Sequence, residues 1–277
     1  AVMGPLLAAG DGRRTLLAAY EHGSTSPDAF VQFRLAANGA VRVEAVKGNY
    51  WHGRALGPDR PFETLWCEAA MVAGGLDELA AAYREFVLKH LSCNRASRQP
   101  YIFYNTWAFQ ERNKWWHGHA YLDSMNADRI LAEIDVAHRM GIEVFVLDTG
   151  WYEKTGDWRV STRRFPDGLR AVRAKLAGYG MKLGLWFSPT QAAVSSRPVA
   201  DHPGCRMSWD GRLHGPHEVW ETEASYNMCL ASRYWEGFAD ELIRLHRELG
   251  VVYFKWDAVG QYGCNDAGHW HGDASVP

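Results

Sequence analysis

The sequence predicts an α/β fold, a run of βα units from a (β/α)8 barrel, preceded by an antiparallel β region. Three observations predict it. Short apolar runs recur behind a glycine, as in GIEVFVLDTGW (141–151), GMKLGLWFSP (180–189) and GVVYFKWD (250–257). Each follows a segment with helical spacing of apolar residues and ends in polar or aromatic groups. Before residue 100 the texture changes to short alternating segments separated by turn residues.

Taken in order, TLLAAYEHG, AFVQFRLA, AVRVEAV and PFETLWCEAAMV alternate apolar and polar residues between Asn-Gly and Pro-containing turns. That pattern belongs to antiparallel strands. From Gly75 to Leu91, Leu79, Tyr83 and Phe86 share a helical face, and the polar stretch SCNRASRQP follows as a connector. The expected organisation is a β domain over 1–74, a linker helix and connector over 75–100, and barrel strands and helices over 101–277, starting at Tyr101.

Three amphipathic helices are expected in the second part. Ile130, Ile134 and Ala137 lead to Gly141; Leu169, Val172, Leu176 and Tyr179 lead to Gly180; Trp235, Phe238, Leu242, Leu245 and Leu249 lead to Gly250. Steps of three and four put each set on one face. Glycine ends a helix cheaply because it adopts the left-handed conformation. Apolar strands alternating with such helices form a parallel sheet covered on the outside. Doubly wound sheets and (β/α)8 barrels both use this unit, and both bind ligands at the carboxyl ends of their strands. Asp148, Trp186 and Asp257 fall there. No strand is followed by a Gly-x-Gly-x-x-Gly fingerprint, which favours the barrel.

Composition sets the outer bounds. The 277 residues, 47% of them hydrophobic, suffice for one large domain or two modest ones. A formal net charge of -2 and a pI near 6.7 supply no cationic field for nucleic acid or an anionic membrane, and neither partner is expected. No apolar run reaches the roughly 18 residues of a spanning helix. The five cysteines, Cys67, Cys93, Cys205, Cys229 and Cys264, are odd in number, widely spaced and without a Cys-x-x-Cys pair. Free thiols and a cytoplasmic location are therefore expected, without a disulfide framework or zinc knuckle.

The chemistry concentrates at the strand tips. Lys255, Trp256 and Asp257 place a cation, an aromatic plate and a carboxylate side by side, the ingredients of a sugar site. The 13 tryptophans suit the apolar faces of sugars as well as core packing. The His117/His119 and His269/His271 pairs lack a third ligand at recognisable spacing, so no metal is assigned to them.

These passages resemble the melibiase-type retaining α-galactosidases, from about Leu16 onward. YNTW (104–107), FVLDTGW (145–151), GDW…FPDGL (156–169), GMKLGLWFSP and FKWD carry the resemblance in order. It implies a β-sandwich in front of a (β/α)8 catalytic barrel, of which this chain holds about the first half. It implies Asp257 as the nucleophile, Lys255 and Arg233 as holders of sugar hydroxyls, and Asp148 as a carboxylate gripping the far side of the sugar. Trp107, Trp151 and Trp186 become aromatic walls beside Trp256. No cofactor and no metal are implied, and homo-oligomers are compatible with it. A retaining glycosidase also needs an acid/base carboxyl about 5 to 5.5 Å from the nucleophile. In the family it lies on a later strand, so it is expected outside this chain, which reads as an internal stretch of a longer protein.

The pattern departs from the family at Thr149, where a second Asp is usual, at Ser188 and Thr190, where Glu flanks the Pro, and at Val259, usually Asn. These changes make the pocket less acidic. The expected activity is double-displacement hydrolysis of a terminal α-linked galactose or a related sugar in an oligosaccharide or α-galactoside. A raffinose- or stachyose-forming transglycosylase and a non-catalytic carbohydrate-binding protein are the alternatives.

Overall fold

The computed structural model describes residues 2–3, 6–20, 31–45, 58, 66–257 and 264–270. Val259 and His271 lie outside them. The chain divides into two compact units, Ala1–Pro100 and Tyr101–Val276.

Among its described residues, the first unit contains two three-stranded antiparallel sheets. One joins Val2–Met3, Val31–Leu35 and Val41–Ala45; the other joins Leu6–Gly10, Arg14–Tyr20 and Cys67–Ala73. Alternation is visible in the strand Arg14–Tyr20, where Thr15 and Leu17 are buried and Leu16 between them is exposed. The Asn38-Gly39 turn closes a hairpin, with Gly39 at φ +81° and the Ala36 N–H donating to the Ala40 carbonyl at 2.8 Å. The helix Leu76–Phe86 buries Leu79, and the Glu78 carboxylate reaches back to the Gly75 N–H at 2.7 Å.

Among its described residues, the second unit is built on four parallel strands: β1 (Phe103–Asn105), β2 (Val144–Leu147), β3 (Lys182–Phe187) and β4 (Val251–Trp256). They pair in sequence order, β1 with β2, β2 with β3 and β3 with β4. Helices precede β2, β3 and β4. Ala127–Arg139 is capped by the Asn126 side chain, which accepts from the Arg129 N–H, and it buries Ile130, Ile134 and Ala137. Arg170–Gly178 buries Val172 and Leu176, and Tyr234–Leu249 buries Phe238 and Leu245.

Two members of the expected apolar faces turn outward. Tyr179 is exposed because it lies past the helix end, where its hydroxyl donates to Asp135 and its ring stacks on His138. Trp235, in the first turn of its helix, is also exposed, and the core contact passes to Tyr234.

Period-two alternation sorts the sheet into two faces. Leu147, Leu185, Phe187, Phe254 and Trp256 fall on one, and Phe187 and Trp256 pack there on Phe238 of the last helix. Val146, Gly184, Tyr253 and Lys255 fall on the other, continued by Asp148, Trp186 and Asp257. Gly184 is required on that second face: a Cβ there would lie 2.8 Å from Val146 Cγ2 and 3.1 Å from Tyr253 Cβ.

The long connection from β3 to β4 holds an antiparallel sheet that periodicity did not show. Gln191–Ala193 and His217–Val219 flank Thr222–Asn227. Its hairpin turn uses Trp220 (φ 47°) and Glu221 (φ 62°), both in the left-handed region that usually takes Gly or Asn.

Candidate active site

The carboxyl ends of β2, β3 and β4 converge on one charged cluster. Asp148 directly follows β2 and is buried at 1% exposure. Its Oδ1 accepts from the Thr149 N–H at 2.8 Å and the Thr149 hydroxyl at 3.2 Å, and its Oδ2 accepts from Lys255 Nζ at 2.9 Å. A buried carboxylate needs this enclosure of donors, because desolvation otherwise disfavours its charge. The Asp148 N–H donates to the Thr106 hydroxyl at 2.9 Å, which positions the residue from β1. Thr106 donates in turn to Gln110, whose amide reaches the Thr149 carbonyl.

Asp257 follows β4 and extends the ladder: its N–H donates to the Phe187 carbonyl at 2.9 Å. Its Oδ2 accepts from Trp186 Nε1 at 3.2 Å and lies 3.8 Å from Lys255 Nζ. Lys255 thus stands between the two carboxylates, and its ammonium is 5.9 Å from the centre of the Trp107 ring, within cation–π range. The alignment follows from pairing, since Lys255 is opposite Trp186 in the β3–β4 register. Asp148, Trp107, Trp186, Lys255 and Asp257 are therefore neighbours in space.

Two predicted site residues, Trp151 and Trp256, stand elsewhere. Trp151 is fully buried among Trp158, Phe187 and Tyr152, and its Nε1 donates to the Trp186 carbonyl at 2.8 Å. It supports the backbone beneath the site and is not an exposed wall. Trp256 alternates to the helix face and packs on Phe238, so it is separated from its neighbours Lys255 and Asp257. Arg233 is exposed at the start of the helix Tyr234–Leu249, and its guanidinium has no ion-pair partner among the described residues. Of the two remaining tryptophans, Trp107 is 46% exposed and can meet a ligand, whereas Trp186 is 1% exposed and acts through its N–H.

Tyr121 was not anticipated, because it sits in a short 3-10 turn without periodic signal. It is fully buried, stacks on Trp220 with ring centres 5.0 Å apart, and its hydroxyl has no partner among the described residues. Burial first, then the charge of Asp148, pushes the phenol's pKa up, so it remains a donor. The Trp220–Glu221 turn is held by the same segment: Glu221 accepts from the Tyr121 N–H at 3.0 Å, the Leu122 N–H at 3.3 Å and Lys114 Nζ at 2.9 Å. Thr149, Ser188 and Thr190 are buried, and of these Thr149 is the one that hydrogen-bonds Asp148.

The parallel sheet thus gathers two carboxylates, a lysine and tryptophans at its strand tips. The family is established by its sequence profile: residues 61–270 match the profile described as Melibiase, and the chain belongs to that family. Alpha-galactosidase Mel36A of Lactobacillus acidophilus is 26% identical over 231 residues, covering 79% of this chain and 29% of the relative. The Escherichia coli alpha-galactosidase is 25% identical over 211 residues, covering 74% and 28%. The chain thus spans less than a third of the length of these relatives. Among solved structures, the alpha-galactosidase of Lactobacillus brevis superposes with TM-score 0.66 at 22% identity, over 89% of this chain and 32% of that one. A variant of AgaA from Geobacillus stearothermophilus in complex with raffinose gives 0.66 at 20%, over 91% and 34%.

Proposed function

We propose that this chain is the first half of the (β/α)8 barrel, with part of a preceding β-sandwich, of a retaining α-galactosidase-like glycoside hydrolase. The sequential order of the four parallel strands supports the barrel, and the two antiparallel sheets of the first unit support the sandwich. The observation that carries the functional reading is the single cation shared by two strand-tip carboxylates, with Lys255 Nζ 2.9 Å from Asp148 and 3.8 Å from Asp257.

In this mechanism Asp257 attacks the anomeric carbon and the leaving oxygen departs with a proton from an acid/base outside this chain. The same group then activates water to hydrolyse the glycosyl-enzyme. Trp186 Nε1 and Lys255 orient the nucleophile's Oδ2, while Asp148 and Lys255 hold sugar hydroxyls. Trp107 covers an apolar sugar face, and the Tyr121 hydroxyl offers a further donor. The substrate is an oligosaccharide or α-galactoside, of the kind AgaA binds in its raffinose and stachyose complexes. The neutral Thr149 beside Asp148 makes a related α-linked sugar the alternative to galactose.

The test is Asp257→Asn in the full-length protein, assayed on α-galactosides. Turnover should fall by several orders of magnitude while sugar binding persists by calorimetry. Undiminished turnover would remove Asp257 from the nucleophile role, and binding without turnover in the unaltered protein would favour a carbohydrate-binding function.

A further inference from the structure

A second cluster, unused by the sugar chemistry, joins the connection between β3 and β4 to the segment after β4. Cys229, Cys264 and His269 are buried, at 2%, 1% and 6% exposure. One potential ligand atom from each, two sulfurs and a ring nitrogen, lies within 4.8 Å of the others. Cys264 Sγ is 3.2 Å from His269 Nδ1, and His269 Nε2 is 2.8 Å from the Gly204 carbonyl. A carbonyl only accepts, so the proton belongs on Nε2 and the Nδ1 lone pair faces the sulfurs. A metal-ligating histidine is oriented in this way, with its outer N–H held by a backbone carbonyl.

The backbone beside this cluster is fixed as well, since the Cys205 carbonyl accepts the Cys229 N–H at 2.8 Å.

We propose that Cys229, Cys264 and His269 form a structural site for a zinc-type divalent cation. Two thiolates and an imidazole are ligands that Zn²⁺ prefers, and the soft sulfurs disfavour Mg²⁺ or Ca²⁺. Each ligating thiol releases its proton to solvent as the metal–sulfur bond forms. The ion ties the segment that holds Cys264 and His269 to the connection that holds Cys229, adding to hydrogen bonds such as Asn265 N–H to the Ser208 carbonyl at 2.9 Å and Trp270 N–H to the Ala231 carbonyl at 2.7 Å. It therefore anchors the chain shortly after Asp257. The ligands come from distant points of the sequence, which is why spacing rules built on Cys-x-x-Cys pairs miss them.

The experiment uses the full-length protein, purified without chelators and analysed for metals, then stripped and titrated with Co²⁺ alone. About one zinc per chain is expected, with a thiolate-to-cobalt charge-transfer band and the intense ligand-field bands of tetrahedral cobalt. Cys229→Ser and Cys264→Ser should each weaken Co²⁺ binding and lower the charge-transfer intensity. If Cys264→Ser does not fold, the wild-type cobalt spectrum decides the matter. Absence of both stoichiometric metal and the charge-transfer band overturns the proposal, as does a Cys229–Cys264 disulfide in the native mass. None of these readouts depends on glycosidase activity.

Discussion

Lys255 Nζ lies 2.9 Å from Asp148 Oδ2, an ion pair between residues 107 positions apart that joins the ends of β4 and β2. The Asp148 side chain is 2% exposed and that of Lys255 is 25% exposed, so the anion depends on this cation more than the reverse. Removing one partner of a buried pair leaves an uncompensated charge and costs about 3–5 kcal/mol.

Lys255→Met is accordingly expected to destabilise by about 3 kcal/mol, the lower end of that range because Lys255 keeps some solvent. The double change Lys255→Met/Asp148→Asn should recover much of the loss. Urea unfolding of the full-length protein measures both. Equal stability of the single and double variants would show that the pair is not the cause.

Trp186→Phe keeps a ring and removes the Nε1–H that reaches Asp257 at 3.2 Å. A hydrogen bond to a charged group is worth about 1.5–3 kcal/mol, and half-exposure of Asp257 lowers that figure. A drop of roughly tenfold in kcat is expected if the bond orients the nucleophile. An unchanged kcat with only a raised KM would assign Trp186 to substrate binding instead.

Gly184→Ala introduces a methyl group 2.8 Å from Val146 Cγ2 on the face that carries the site. Overpacking of this kind costs about 1–3 kcal/mol. The midpoint of chemical unfolding should fall. No change would mean that β2 and β3 separate easily at this level.

Glu221 gives a pH test. Burial raises its carboxyl pKa, but hydrogen bonds from the Tyr121 N–H, Lys114 and the Leu122 N–H outweigh that and hold it below its ordinary value of 4.5. A pKa depressed in the folded state contributes stability that is fully present above the unfolded value and is lost as pH falls through the folded one. The stability gap between the wild type and Glu221→Gln should therefore be constant near neutrality and narrow below about pH 4.5. A gap that stays constant down to the acid limit would locate the stabilisation in shape and not in charge.

Local sequence determined the repeating unit. Gly141, Gly180 and Gly250 occupy left-handed positions at φ 77°, 68° and 70°, each close behind a helix whose buried residues were spaced by three and four. Those signals are legible because helix caps and amphipathic faces are set by residues within a few positions of one another. The strand tips Asp148, Trp186 and Asp257 were legible for the same reason, as polar interruptions at the ends of apolar runs.

Which tip residues meet was settled only in three dimensions. Trp186 and Lys255 come opposite each other through the β3–β4 register, a relation between strands that neither segment encodes alone. Alternation then sends Trp256 to the helix face, and close packing draws Trp151 wholly inside. Tyr121, the strained Trp220–Glu221 turn and the Cys229, Cys264 and His269 cluster have no periodic signal. Each depends on contacts between segments far apart in the chain, and such contacts follow from the packing of the whole fold, not from local conformational preference.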